Sequence, residues 1–133
     1  MKTWLYLPLL MLGLIFTSCR KEEITNQVIP NKTILFTVRT SDWKAVPNTT
    51  NTYAVILPVS EIQAVTDGVI VSIADLNGNT FELLPEVVGN KSFNVIHYPG
   101  SVRVELASTN GAAIQLPQDL TMKVVVIPAN QIQ

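Results

Sequence analysis

His97 is the only histidine in this chain and Cys19 its only cysteine. A cysteine-built zinc site, a multi-histidine cage and an intramolecular disulfide each need at least two such residues. What remains is oxygen chemistry and aromatic stacking. Asp67, Asp75, Glu82 and Glu86 could supply the two carboxylates of glycoside hydrolysis, which stand about 5–10 Å apart. In "DLNGNTFELLPE" (75–86), Asp75, Asn77 and Asn79 take places one, three and five of a calcium loop, and Glu86 takes place twelve. The glycine falls at place four, however, and Thr80 stands at place six, where such a loop needs its sharp turn. Trp43, Tyr53 and Tyr98 could form a sugar-stacking platform. The plainer reading is that Trp43 plugs one end of the fold and the tyrosines, at strand ends, cover its core. His97 runs in phase with Phe93 and Val95, the setting of a hydrogen-bonded, half-buried histidine. No metal and no cofactor are expected.

The elements that must position these residues are strands. Period-two alternation marks "TILFTVRT" (33–40), "VIVSIAD" (69–75), "TFELL" (80–84), "SFNVIHY" (92–98), "SVRVELA" (101–107) and "TMKVVVI" (121–127). "YAVILPV" (53–59) is a more continuous apolar run, as expected of a buried strand. Asn77-Gly78 predicts a type I′ hairpin turn between 69–75 and 80–84. Pro99-Gly100 separates 92–98 from 101–107, and Asn110-Gly111 ends the latter. One helical turn is predicted over "SEIQAVT" (60–66), with Ser60 as cap and Gln63 at the third helical position. About seven short strands joined by turns predict an all-β fold, a single antiparallel β-sandwich over residues 32–133. The cysteine–tryptophan–cysteine signature of antibody domains is absent, so an immunoglobulin-like label would describe architecture only.

The N-terminus has a different composition. Met1-Lys2 is a short positive segment, and Trp4 to Phe16 an apolar run holding Pro8 and Gly13. About 13 apolar-rich residues are too few to span a membrane, which takes about 20, and match a signal peptide over residues 1–18. Phe16-Thr17-Ser18-Cys19 resembles a lipobox, the processing motif of bacterial lipoproteins, with Phe16 in place of the usual leucine. That resemblance implies cleavage between Ser18 and Cys19 and a diacylglyceryl group on the Cys19 sulfur. Acyl chains contribute about 0.8 kcal/mol per buried methylene, so several of them anchor a protein durably. Residues 19–31 then read as the lipidated cysteine and a polar tether ending near Pro30. Within the tether, Lys21-Glu22-Glu23 resembles the export signal of Bacteroidetes surface lipoproteins. It implies an outer-membrane protein facing outward, with the periplasmic face as the alternative. A net charge of −1 without a basic block gives no electrostatic footprint that would suggest nucleic acid as a partner.

Residues 33–128 resemble a family of small Bacteroidetes lipoproteins. The likeness runs through "TSDWKAV" (40–46), Ile62, Val65, Asp67-Gly68, Val69 and Val71, the pair Leu84-Pro85, then Tyr98, Gly100, Val102 and Val104, and a closing "VVVIP" (124–128). It departs where Tyr98 and Gly100 flank a proline at a variable place. The resemblance implies fold and location and brings no activity with it. Three functions follow as expectations. The first is a non-enzymatic structural or protein-interaction role in the cell envelope, with the membrane as partner through the N-terminal lipid. The second is carbohydrate binding centred on Trp43. The third is hydrolysis by a carboxylate pair, which no second feature of the sequence singles out.

Overall fold

A computed structural model describes residues 29–129. Alternation in "KTILFTV" sends Ile34, Phe36 and Val38 to one side and Leu35 and Thr37 to the other. Val38 is buried, whereas Leu35 is 62% exposed. This strand, β1 (Lys32–Val38), is followed by β2 (Lys44–Ala45), β3 (Thr52–Val59), β4 (Gly68–Asp75), β5 (Glu82–Leu83), β6 (Glu86–Val88), β7 (Lys91–Tyr98), β8 (Gly100–Ser108) and β9 (Leu120–Ile127). One turn of 3-10 helix, Thr40–Asp42, links β1 to β2.

The strands form two sheets, β1-β9-β4-β5 and β2-β3-β8-β7-β6, with every pairing antiparallel. They pack face to face as a β-sandwich, the expected fold class. Leu120, Met122, Val124 and Val126 of β9 are buried from one sheet, and Val102, Val104 and Leu106 of β8 from the other. Each such side chain contributes about 1.5–3 kcal/mol on burial. Between β5 and β6 the pair Leu84-Pro85, joined by a cis peptide bond, carries the chain from one sheet to the other. Leu84 is buried there, and its N–H donates to the Val71 carbonyl (2.9 Å).

Four local expectations are corrected. Among the described residues there are nine strands, two more than alternation shows, because β2 and β6 have two and three residues, too few to show a period. β3 is not a continuously buried run: Val55, Leu57 and Val59 point inward while Ile56 is 65% exposed. Pro58 is tolerated because β2 pairs only with Tyr53 and Ala54, leaving β3 an edge where the proline sits.

The Asn77-Gly78 turn also differs from type I′. It closes one residue earlier, through a hydrogen bond from the Gly78 N–H to the Asp75 carbonyl (2.7 Å). Asn77 takes the positive φ of 64°, as the third place of a type II turn requires. The following strand shrinks from 80–84 to Glu82–Leu83, opposite Ile73 and Ser72. The predicted proline-glycine break is present as drawn: Tyr98 pairs with Ser101, and Gly100 has a φ of 84°.

Finally, residues 60–66 form no helical turn. The Ser60 hydroxyl donates to the Glu61 carboxylate (3.4 Å) instead of capping a helix. The backbone here is organised by Asp67.

Candidate functional site

Asp67 closes the end of the sandwich where the chain enters the fold. One carboxylate oxygen accepts the N–H groups of Gln63 (2.9 Å) and Ala64 (3.0 Å); the other accepts that of Ala129 (3.0 Å). The first two bonds close the 62–67 loop, which seats buried Ile62 in the core. The third ties the segment after β9 to that loop. A carboxylate is the side chain best able to accept from several donors at once. The Ala129 bond, then those from Ala64 and Gln63, hold this carboxyl below the ordinary aspartate value of 3.8, against the opposing effect of burial. A hollow beside it is lined by Ile29, Lys32, Gln63, Ala64, Thr66 and Pro128, among others. With its bonds satisfied by backbone, Asp67 serves as a structural clasp.

The three aromatic residues do not make a platform. Trp43 is only 4% exposed and packs between the sheets, its ring edge-on to Phe93 with centroids 6.3 Å apart and planes at 67°. Its Nε1 is buried and has no hydrogen-bond partner among the described residues. Tyr53 is half-buried, in phase with Val55 and Leu57, and packs against the same core. Tyr98 is 50% exposed on the outer side of β7. Across β8, Tyr53 stands beside Leu106 and Tyr98 beside Ser101. Five residues along a strand put them about 17 Å apart. The burial of Trp43 follows its plainer expectation, and Tyr98 is the one exposed ring of the three.

Of the four acids, Asp67 is bound to its own loop and the other three come from successive elements. Asp75 ends β4 and Glu82 begins β5, both in the four-stranded sheet, and with Thr80 they line one shallow hollow. Glu86 begins β6 in the five-stranded sheet, opposite Phe93. The would-be calcium loop therefore starts in one sheet and finishes in the other. Burial raises the Glu86 carboxyl above its ordinary value, and the neighbouring Glu82 charge adds to the rise. Among the described residues, no three His, Cys, Asp or Glu side chains converge as a metal site would require. His97 is half-buried opposite Val102.

A residue missed in the sequence is Asp119. Its carboxylate accepts the Thr40 N–H (3.0 Å), while the Thr40 hydroxyl donates to the Pro117 carbonyl (2.7 Å). Together these bonds fasten the 3-10 turn that leads into Trp43. No local pattern could signal a contact across 79 positions.

Ser18, Cys19, Lys21, Glu22 and Glu23 lie outside the described residues. Among the residues described, no helix is long and apolar enough to cross a membrane. Compared with known proteins, the chain matches no protein-family model, no curated protein and no solved structure.

Proposed function

We propose that this is a lipid-anchored cell-envelope protein whose β-sandwich has a non-enzymatic structural or protein-interaction role. The observation that carries the reading is the place of Cys19, directly after Thr17-Ser18 at the end of the apolar N-terminal run. The first strand begins at Lys32, so the residues between have the length and polarity of a tether. The buried core of the described residues contains no cysteine. The resemblance to small Bacteroidetes lipoproteins and the acidic pair Glu22-Glu23 support an outer-membrane protein facing outward.

The non-enzymatic part of the reading rests on the lack of a fuller constellation: Asp75 and Glu82 share a hollow whose other lining residues carry no titratable group. Asp67 is committed to backbone donors, Glu86 stands on the other sheet from Asp75 and Glu82, and His97 faces the core side of its strand. The carbohydrate alternative loses its central ring, since a tryptophan 4% exposed has no face to offer a sugar. Metabolic labelling with a tagged fatty acid tests the anchor. The wild-type chain takes up label and Cys19→Ser does not; equal labelling of both would contradict the reading.

A further inference from the structure

Three of the four sheet edges are short: β2 has two residues, β5 two and β6 three. Natural sheets blunt their edges by shortness, charge, proline or bulges, because an open edge offers unpaired N–H and C=O groups to any other strand. The strands behind these short edges are therefore covered only in part, and of the four outermost strands β1 is the longest. It has seven residues, pairs with β9 on one side, and carries no further strand among the described residues. Lys32, its first residue, is the only charge in it, and proline is absent. Leu35, at its centre, is 62% exposed. Ile34 and Phe36 point toward the core but are only partly buried.

We propose that β1 pairs antiparallel with β1 of a second copy of this chain, about a two-fold axis at Leu35. The strand's own sequence selects that partner. "KTILFTV" nearly repeats itself when reversed about Leu35, so the pairing sets Leu35 against Leu35, Ile34 against Phe36 and Thr33 against Thr37. Aromatic–β-branched and threonine–threonine pairs are among the favourable cross-strand combinations. The two Lys32 residues lie at opposite ends of the paired strands, so like charges do not meet. The contact is isologous and closes at two copies, joining the four-stranded sheets into one of eight. This inference does not depend on the lipid anchor.

Cysteine placement tests it in the full chain, in the cells that make it, with a thiol-specific cross-linker that spans about 5 Å. Facing Cβ atoms across an antiparallel pair lie about that far apart. Leu35→Cys cross-links to itself, and Thr33→Cys cross-links to co-expressed Thr37→Cys. Thr33→Cys alone stays uncross-linked, because its copies are about 13 Å apart, four residues along the strand. The unsubstituted chain measures any contribution from Cys19. Thr33, Leu35 and Thr37 all face outward, so the variants retain the fold. A Leu35→Cys dimer yield about ten-fold above that of Thr33→Cys, with the mixed pair equally productive, supports the two-fold pairing. Absence of dimer in both, or equal dimer from Thr33→Cys alone, overturns it.

Discussion

Trp43 and Phe93 meet edge to face between the two sheets, 6.3 Å apart at their centroids. Phe93 comes from β7 in the five-stranded sheet, and Trp43 from the connection between β1 and β2, which passes from one sheet to the other. Because the ring fills space where that crossing is made, Trp43→Ala should cost about 3–5 kcal/mol in urea unfolding. Trp43→Phe should cost much less, since it also removes a buried N–H that has no partner among the described residues. Tyr98→Ala, at an exposed site, should stay within about 0.5 kcal/mol of wild type. A Tyr98 effect as large as that of Trp43 would contradict this division.

Gly78 is held by close approach and not by a left-handed backbone. A Cβ there would stand 2.9 Å from the Asp75 carbonyl oxygen and 3.3 Å from its nitrogen. Gly78→Val should therefore open the Asp75–Gly78 turn at a cost of about 1–3 kcal/mol. An unchanged melting temperature would show that the turn tolerates a side chain.

Ser72 is 2% exposed, and its hydroxyl has no hydrogen-bond partner among the described residues. It lies beside Lys123 in the sheet, on the side where the Lys123 ammonium sits 4.2 Å from the Phe81 ring centre. Ser72→Ala removes an unpaired buried hydroxyl, so stability should hold or rise by up to about 1 kcal/mol. A loss of that size in chemical denaturation would mean the hydroxyl is paired after all.

The Asp67 carboxyl titrates below its ordinary value of 3.8 in the folded chain, chiefly through the Ala129, Ala64 and Gln63 N–H groups, with a lesser contribution from His97 when charged. Its contribution to stability is complete above about pH 4 and is lost as the pH falls through the lower folded value. Asp67→Asn, with one acceptor oxygen in place of two, should melt earlier at pH 7. The gap to wild type should narrow as acid is added, measured by thermal unfolding from pH 7 to pH 2. A gap constant across that range would argue against a role for the charged form.

The strands were legible where alternation ran long. β1, β7, β8 and β9 each show seven or more residues with one face apolar, and tertiary packing then uses the face the pattern names. Legibility failed where a few distant atoms decide the path. Residues 60–66 look like a capped helical turn locally, yet the Asp67 carboxylate draws their N–H groups elsewhere, and its third bond reaches 62 residues along the chain. Asn77-Gly78 reads as a turn, but the hydrogen bond that closes it runs from Gly78 to Asp75, one residue earlier than the dipeptide implies. Of the candidate site residues, Trp43 illustrates the limit best: an aromatic residue beside a strand reads more readily as a plug than as a platform, and the facing sheet decides.

Membrane fractionation of cells producing wild-type or Cys19→Ser chains tests the anchoring claim most directly. The wild-type protein should sediment with the outer membrane and resist extraction by high salt, while Cys19→Ser should appear in the soluble fraction with its β-sandwich intact by circular dichroism. Retention of folded Cys19→Ser in the membrane, to the same extent as wild type, would contradict the account.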